Sequence, residues 1–349
     1  MLYAKNERMS AVARLCSVGL LLVDLYTGKK IMYPGGNELN VAVYASRLGN
    51  ESGIIGVFGS DTSTGFLQTV LQAEHVDYSH SRYAKGPCAN STVKIVNGDR
   101  VFTGHNNGGV TGMFPIEITA EDEPYITSFD VVSTSTYGRM HPQQVQKLCS
   151  LGVPVAYDFS HDAPQEMVDQ LLPCVTYAFF SAADKSDVEI KRFIYACAEK
   201  GGHNIICTAG ERGAFALVDG AMYRQEAEKA NVIDTMGAGD SFIAAFLTTI
   251  EDPQKDRDVR AALKAAAVFA AETCTKEGAA VLSGKDADGG QQRDRHLTGA
   301  GVPAGKERHP LDPQGDPAVV TSETALPKRA AASAVAYSLK PFLPFQNAS

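Results

Sequence analysis

Residues 231–250, NVIDTMGAGDSFIAAFLTTI, place three small residues and a carboxylate directly before an apolar run. Phe242, Phe246 and Ile250 recur every four residues, which predicts a helix starting near Ser241. The first turn of a helix leaves backbone N–H groups without partners, and the helix dipole is positive there. Small residues let a ligand approach this backbone closely, so the stretch predicts an anion-binding helix N-terminus.

Asp240 stands at the entrance of this predicted anion hole, which is formed by Gly237, Ala238 and Gly239. A phosphoryl group in transfer spreads negative charge over its oxygens, and oriented N–H donors stabilise that charge. A carboxylate beside such a hole can accept the proton of an attacking hydroxyl. The stretch therefore predicts phosphoryl transfer with Asp240 as the catalytic base. The alternative is an ordinary glycine-rich turn in which the aspartate caps the helix.

The composition is that of a large globular protein. The chain has 349 residues with 44% hydrophobic content, enough for one large domain or a domain with a subdomain. Its net charge is −8, and it contains no run of lysine or arginine. Duplex nucleic-acid binders usually carry a basic face, so we expect no nucleic-acid partner. A small anionic ligand is compatible with this charge, because backbone amides bind anions without net positive charge.

Cysteine usage and the first residues indicate the compartment. The seven cysteines are scattered without a CxxC pair, which is typical of reduced thiols in a cytosolic protein. Residues 1–16 lack the apolar core of a signal peptide. The run LLLVDLY contains an aspartate and is too short to span a bilayer. We therefore expect a soluble cytoplasmic protein with no membrane partner.

Short apolar runs alternate with helical patterns along most of the chain. The runs predicted as strands are LCSVGLLLVDLY, ESGIIGVFGSD, FDVVSTST, PVAYDFS, TYAFFSA, NIICTAG and GAFALVDG. This alternation predicts an α/β fold with a mostly parallel central sheet flanked by helices. Residues 85–110 break the pattern, with turn signals at Asn97-Gly98 and at residues 106–109, and predict a small β lid.

The segment PGGNELNVA, residues 34–42, predicts a second polar site. Pro34, Gly35 and Gly36 are predicted to form a turn, and Asn37 is predicted to cap the helix that follows. Amide side chains both donate and accept hydrogen bonds, which suits neighbouring hydroxyl groups of a sugar. The alternative for Asn37 and Asn40 is capping and helix-surface duty.

Two motifs resemble signatures of the ribokinase/PfkB family of carbohydrate kinases. DTMGAGD is similar to the family's carboxy-terminal signature, and GGNELNVA is similar to its amino-terminal sugar-binding signature. They lie about 200 residues apart in the expected order, with the predicted lid between them. The likeness covers roughly residues 15–280 and implies a ribokinase-like fold. Within the family, GGNELNVAVYASRLG, NGDRVF, YDFS and VIDTMGAGDSFIAAFL are most similar to kinases of fructoselysine.

The resemblance implies a role for each matching residue. Asp240 would be the catalytic base, and residues 237–239 would form the anion hole. The residues implied for sugar binding are Asp24, Gly35, Gly36, Asn37, Asn40 and Arg100. TAGERGAFAL resembles the family's nucleotide segment. The residues it implies for ATP binding are Thr208, Gly210 and Gly213.

The metal sites that the resemblance implies are less regular. Asp234 and Met236 would lie at the monovalent-cation site, for an ion such as K⁺, that some family members have. The family's usual Asn-x-x-Glu, which organises Mg²⁺, is replaced here by SAAD, in which Asp184 can act on the metal through water. The first strand commonly carries Gly-Asp, where this chain has Gly19-Leu20.

The composition changes after about Ala280, where the chain becomes rich in glycine, proline and charge. We therefore predict a kinase domain over residues 1–282 and an extra tail over 283–349, disordered or loosely docked. The end of the chain, AAASAVAYSLKPFLPF, is apolar again and is a candidate for docking.

The leading prediction is an ATP- and Mg²⁺-dependent kinase acting on a primary hydroxyl of a ketose-like sugar. Fructoselysine or another fructosamine, phosphorylated at position 6, is the best substrate candidate. Lid strands in this family often pair between subunits, which implies a homodimer. The alternatives are a kinase of another sugar or nucleoside, and a sugar-binding regulatory protein without turnover. Neither a P-loop motif nor a dinucleotide-binding fingerprint supports a different enzyme class.

Overall fold

The computed structural model of the chain describes residues 12–26, 31–96 and 99–276. All of these residues belong to one of two compact units, Met1–Leu311. The other unit, Asp312–Ser349, lies outside the described residues, as does the whole of the predicted tail. The domain boundary at residue 282 therefore stays a prediction.

Strands and helices alternate over most of the described chain. The strands are β1 (Arg14–Val18), β2 (Leu22–Tyr26), β3 (Ile31–Gly35), β4 (Glu51–Ile55), β5 (Val57–Phe58), β6 (Val76–Asp77), β7 (Arg82–Tyr83), β8 (Ala89–Val96), β9 (Asp99–His105), β10 (Val131–Ser135), β11 (Val155–Asp158), β12 (Tyr177–Ser181), β13 (Asn204–Thr208), β14 (Ala214–Val218) and β15 (Ala221–Gln225). The helices are α1 (Asn37–Arg47), α2 (Thr62–Ala73), α3 (Gly109–Met113), α4 (Glu123–Ile126), α5 (Pro142–Ser150), α6 (Gln165–Leu171), α7 (Asp187–Glu199), α8 (Ala238–Ile250) and α9 (Val259–Cys274).

The central sheet has the strand order β15-β14-β13-β12-β11-β10-β1-β4-β6. Neighbouring strands pair in parallel from β6 to β13, and only β13, β14 and β15 pair antiparallel within this sheet. Every residue of β10 is buried, as expected of a strand with helices on both faces. The prediction of a mostly parallel sheet flanked by helices is confirmed.

Two hydrophobic cores cover the two faces of this sheet. One face packs against α5, α6 and α7, which contribute Val145, Val168 and Ile194. The other face packs against α1, α8 and α9, which contribute Val41, Phe246, Leu263 and their neighbours. Helices α1 and α8 therefore lie side by side on one face, and this arrangement brings their N-terminal ends together.

A second sheet, in the order β3-β2-β8-β9, forms the lid sheet. It is larger than the predicted lid over residues 85–110, because β2 and β3 join it from the amino-terminal part of the chain. LCSVGLLLVDLY, predicted as one strand, is divided between the central sheet (β1) and the lid sheet (β2). Pro34 and Gly35, predicted in a turn, end β3. An apolar run does not specify its pairing partner, so its periodicity could not assign two strands to two sheets. The predicted turn Asn97-Gly98 lies outside the described residues.

Several short elements were not predicted. ESGIIGVFGSD forms both β4 and β5, and β5 pairs with β7 in a separate two-stranded sheet. Helices α3, α4 and α6 have four to seven residues and carry too few turns for a clear apolar periodicity. Strand β15 is only partly buried and lacks the apolar run of its buried neighbour β14, so its sequence carries no clear strand pattern.

Candidate active site

The candidate site lies where strands of the central sheet end and two helices begin. Ser135 ends β10 and Asp158 ends β11, and the two strands are parallel neighbours. Asn37 begins α1, and Asp240 lies in the first turn of α8. Crevices at the carboxyl ends of parallel strands are the usual ligand sites of α/β sheets. The polar residues of the two predicted motifs therefore meet at one end of the sheet.

The N-terminus of α8 is open. The helix begins at Ala238, three residues earlier than the predicted start at Ser241. Gly237 precedes it with a left-handed backbone (φ 76°), a conformation that favours glycine, and no side chain caps the helix. A Cβ on Gly239 would meet nothing within 4 Å, so open space adjoins this turn. An uncapped helix N-terminus beside open space fits a phosphoryl group.

One backbone amide of the predicted anion hole, that of Ala238, already has a hydrogen-bond acceptor in the protein. The N–H of Ala238 donates to the carbonyl of Thr235 at 3.2 Å. The carboxylate of Asp234 accepts a hydrogen bond from the N–H of Met236 at 3.0 Å. The backbone N–H of Asp234 donates to the carbonyl of Cys274 at 3.2 Å. The segment before α8 is therefore tied both to itself and to the end of α9.

The carboxylate of Asp240 is held by Asn40. The side-chain Nδ2 of Asn40 donates to Oδ2 of Asp240 at 2.7 Å, across 200 residues of sequence. Asn40 is only 4% exposed, so the alternative of helix-surface duty is wrong. Its Oδ1 has no hydrogen-bond partner within the part of the chain that the structure describes. A buried acceptor without a partner is costly, and a bound hydroxyl group would satisfy it.

The environment raises the pKa of Asp240 to about 7. Burial is the main cause, because protein atoms surround the carboxyl group even though the residue keeps some exposure to solvent. The negative charges of Asp158 and Glu38 raise the pKa further, and the hydrogen bond from Asn40 lowers it. A carboxylate with a pKa near neutrality is suited to accept a proton at physiological pH.

Asn37 does not cap α1 as predicted. Gly36 occupies the N-cap position, and no side chain caps this helix. The side chain of Asn37 instead donates from Nδ2 to Oδ2 of Asp158 at 3.0 Å. Oδ1 of Asp158 accepts the N–H of Ser160 at 2.8 Å. Burial raises the pKa of Asp158 to about 6.

Asp158 was not predicted as a site residue, although it lies in the phrase YDFS that carries part of the resemblance. A single aspartate at the end of a strand gives no local signal of a ligand. Asp158 is placed at the candidate site by its contact with Asn37, which is 121 residues away in sequence.

Glu38 was also missed. It is 1% exposed and accepts hydrogen bonds from Oγ of Ser135 at 2.5 Å and from the N–H of Leu20 at 3.3 Å. Burial raises its pKa to about 7. A Cβ on Gly19 or Gly138 would come within 2.5 Å or 2.7 Å of Glu38 side-chain atoms, so two glycines make the space for it. Glutamate in a first helical turn usually faces solvent, so no sequence pattern indicated that Glu38 is buried.

Asp24 lies in the lid sheet, in the middle of β2 rather than at the end of a strand. Its carboxylate accepts a hydrogen bond from the hydroxyl of Ser91 on β8. A Cβ on Gly35 would come within 2.5 Å of Asp24 Oδ2, so the carboxylate packs directly against the backbone of β3. Arg100, also predicted for the sugar, lies in β9, and its side chain is outside what the structure describes.

The predicted nucleotide segment adjoins the SAAD segment. Thr208 ends β13, and Gly210 and Gly213 bound the short turn after it with positive φ angles of 59° and 85°. Between them, the guanidinium of Arg212 donates to the carbonyls of Ala183 (3.2 Å) and Lys185 (2.5 Å) and to Asp187 (2.5 Å). Arg212 was not predicted, and it joins two segments that the resemblance implies for ATP and Mg²⁺.

The two carboxylates predicted for metals belong to no cluster of three or more metal-binding side chains among the described residues. Asp184 has a 73% exposed side chain and pairs with Lys185 at 3.1 Å. Among residues 12–26, 31–96 and 99–276, no group of three or more His, Cys, Asp or Glu could hold a metal ion. Mg²⁺ in nucleotide sites is usually held by one or two carboxylates plus phosphates, so a protein cage is not required.

These features define a class of protein: a ribokinase-like phosphotransferase, with a mostly parallel sheet, a lid sheet and an uncapped helix N-terminus beside a carboxylate. The chain belongs to the pfkB family of carbohydrate kinases, whose family model matches residues 14–285. The resemblance carried by the two motifs is thereby confirmed, and the protein is a carbohydrate kinase.

Named relatives and solved structures agree with this assignment. The chain is 39% identical over 267 residues to fructosamine kinase FrlD of Bacillus subtilis, covering 76% of this chain and 92% of the relative. It is 34% identical over 233 residues to fructoselysine 6-kinase of Escherichia coli, covering 67% and 87%. The structure of Arabidopsis thaliana ribokinase complexed with ribose and ATP matches with a TM-score of 0.67 at 18% identity, covering 77% of this chain and 95% of that one. This last match supports the fold.

Two further expectations concern the compartment. All seven cysteines are free thiols, as predicted. The described helices include none that combines the length and the apolar character needed to cross a membrane.

Proposed function

We propose that this carbohydrate kinase transfers a phosphoryl group from ATP to the 6-hydroxyl of a fructosamine such as fructoselysine. The two relatives above are named for fructosamine and fructoselysine, and the chain covers most of the length of each. The observation that carries the chemistry is the Asn40–Asp240 hydrogen bond beside the uncapped N-terminus of α8. It places a proton acceptor, a neutral amide and an anion-binding backbone around one point.

Each of these parts has a role in the transfer. Asp240 accepts the proton of the sugar hydroxyl as the hydroxyl oxygen forms its bond to phosphorus and the bond from that phosphorus to the departing ADP breaks. Asn40 holds the carboxylate in place through its Nδ2, and its Oδ1, which has no partner among the described residues, accepts a hydrogen bond from a sugar hydroxyl. The N-terminus of α8 stabilises the negative charge of the group in transfer. When bound, MgATP supplies the phosphoryl group and the metal neutralises part of its charge.

Sugar hydroxyls away from the reacting one are assigned to residues of α1 and the lid sheet. Asn37 lies at the start of α1, and the carboxylate of Asp24 packs against Gly35 at the end of β3. Gly36 follows, and the lack of side chains at both glycines leaves the backbone open to a ligand. Arg100 stays a prediction from the resemblance alone.

The nucleotide is assigned to the opposite side of the α8 N-terminus. Thr208, Gly210 and Gly213 would contact ATP, and Asp184 would act on Mg²⁺ through water. The link from Arg212 to the SAAD backbone supports this grouping, because it holds the two segments together. Asp234, with Met236, would adjoin a monovalent cation such as K⁺. Because the proposed phosphoryl donor is ATP, we assign the reaction to the cytoplasm.

The lid sheet would close over the sugar and exclude water, so that the phosphoryl group passes to the sugar. We assign to its edge strand β9 a further role in a homodimer. Val101 and Phe102 on this strand are exposed at 42% and 56%, which is unusual for large apolar side chains on an edge strand. Pairing with the lid sheet of a second copy would cover them.

A coupled ADP-release assay with MgATP tests the proposed function. The panel contains fructoselysine, a second fructosamine, fructose, ribose and a nucleoside, with Asp240→Asn as the matched inactive variant. We expect the highest kcat/KM for the two fructosamines and a phosphorylated 6-position by NMR. Faster turnover of ribose or the nucleoside would replace the proposed substrate class. Sugar binding without ADP release from any substrate would contradict kinase activity.

A further inference from the structure

Asp158 and Asp240 line the same face of the candidate site. Each is hydrogen-bonded to an asparagine of α1, Asp158 to Asn37 at 3.0 Å and Asp240 to Asn40 at 2.7 Å. Residues three apart on a helix lie on the same face, separated by about one turn, or about 5 Å along the axis. The two carboxylates therefore accept hydrogen bonds from side chains that are about one helical turn apart, and the negative charge of Asp158 raises the pKa of Asp240.

The hydrogen bonds that Asp158 accepts leave it able to bind a cation. Its two donors, the amide of Asn37 and the backbone N–H of Ser160, are neutral groups. An ionised carboxylate has about four acceptor positions, so two neutral donors do not saturate it. The residue is half-buried, and a positive charge placed against it would form a strong charge-assisted hydrogen bond.

The proposed substrate carries a matching positive charge. A fructosamine differs from fructose by an amine at carbon 1, which is protonated at neutral pH. The hydroxyl that is phosphorylated lies on carbon 6, at the other end of the six-carbon chain. When the 6-hydroxyl meets Asp240, carbon 1 lies about the length of a hexose away, comparable with one turn of helix, about 5 Å. This separation is comparable with the spacing of the two asparagines that hold the two carboxylates.

We propose that Asp158 is the specificity residue that binds the protonated carbon-1 amine of a fructosamine. This inference rests on the proposed function and assigns one end of the substrate to one side chain. An exposed polar group adjoins it: the hydroxyl of Tyr137 lies 3.4 Å from Oγ of Ser160 and donates to Asp162 at 2.6 Å. The amino-acid substituent on the amine would extend along this exposed group, which accommodates substituents of different size.

The experiment compares two substrates across two variants. Asp158→Asn removes the charge and keeps the shape, and Asp169→Asn removes an exposed carboxylate on α6, paired with Lys200, as the control. For each protein, kcat/KM is measured for fructoselysine and for fructose, with calorimetric binding where fructose turnover is too slow to time. We expect Asp158→Asn to raise the KM of fructoselysine about 10- to 100-fold, as expected for a lost charge-assisted hydrogen bond. The KM of fructose changes by less than about threefold, and Asp169→Asn leaves the ratio of the two substrates as in the wild type.

The outcomes separate this inference from the proposed function. An equal loss for fructoselysine and fructose, or no loss for either, would overturn the role of Asp158 while leaving the fructosamine kinase intact. No phosphorylation of any fructosamine by the wild-type protein would overturn the proposed function, and this inference with it. A melting curve accompanies each variant, and Asp158→Ala, measured by the same substrate ratio, replaces Asp158→Asn if the latter does not fold.

Discussion

Asn40 donates a hydrogen bond to Asp240 at 2.7 Å and so joins the N-terminal ends of α1 and α8. The two residues belong to the two motifs that lie furthest apart in the chain, 200 residues from each other. Asn40 is buried and donates this bond from Nδ2, while its Oδ1 has no hydrogen-bond partner within the described residues. The pair therefore has the geometry of a carboxylate base with an adjacent place for a hydroxyl group.

Asp240→Asn should lower kcat by about 10²- to 10⁴-fold, the usual contribution of a positioned general base. This corresponds to roughly 2.7–5.4 kcal/mol of activation free energy. ATP binding, measured by calorimetry, should remain, because the groups of α8 that we propose to bind the anion are backbone amides. Near wild-type turnover in a folded variant would remove Asp240 from the mechanism.

The pH profile of kcat/KM for the sugar should show an acid limb with its midpoint near pH 7, because burial raises the pKa of Asp240 to about 7 and the base must be ionised. Asn40→Ala removes a donor that favours the ionised form, so the limb should move to higher pH. Glu38→Gln removes a neighbouring negative charge, so the limb should move to lower pH. Shifts in the same direction for both variants would contradict Asp240 as the titrating group.

Glu38→Gln should also change how stability depends on pH. Burial raises the pKa of Glu38 from its ordinary 4.5 to about 7, so the folded state keeps a proton that the unfolded state has lost. The resulting stabilisation is complete below pH 4.5 and is lost as the pH rises through 7, by up to about 3 kcal/mol. Urea unfolding at pH 5 and pH 8 measures it: the variant should gain stability relative to the wild type at pH 8. A difference between the two proteins that is the same at both pH values would mean that Glu38 does not titrate in this range.

Asp24→Ala should raise the KM for the sugar by about one to two orders of magnitude, because a half-buried carboxylate makes charge-assisted hydrogen bonds to hydroxyls. The KM for ATP should hardly change, since the proposed nucleotide contacts lie in the carboxy-terminal half. Ser91→Ala is the matched control, because it removes the Asp24–Ser91 hydrogen bond and leaves the carboxylate in place. If both variants lose only thermal stability and keep the sugar KM, Asp24 serves the lid sheet alone.

Deleting residues 283–349 should leave a protein with a cooperative thermal transition. The last described helix ends at Cys274, and the family match ends at residue 285. The first half of the deleted segment is rich in glycine, proline and charge and offers little apolar surface to bury. Loss of the cooperative transition, measured by calorimetry, would show that the apolar end of the chain contributes to the core.

The sequence predicted the features that depend on neighbouring residues. Small residues, a carboxylate and an apolar helix are adjacent in residues 237–250, so the helix and its position after Gly237 could be predicted locally, with an error of three residues in its start. The alternation of strands and helices predicted a mostly parallel sheet, because short connections with helical crossovers favour parallel neighbours. The lid was predicted at the Lys85–Val110 hairpin but not at β2 and β3, since an apolar run carries no information about its partner.

Only the tertiary structure decided which further carboxylates lie at the candidate site and what the pKa of each carboxylate is. Glu38 is buried because Gly19 and Gly138, from distant parts of the chain, leave space for it. Asp158 is assigned by its contact with Asn37, 121 residues earlier in the chain. Local rules of helix capping act over three or four residues, and they predicted the wrong role for Asn37. Burial and charge–charge interactions depend on distances in space, which sequence separation does not determine, so the pKa of Asp240 depends on the fold.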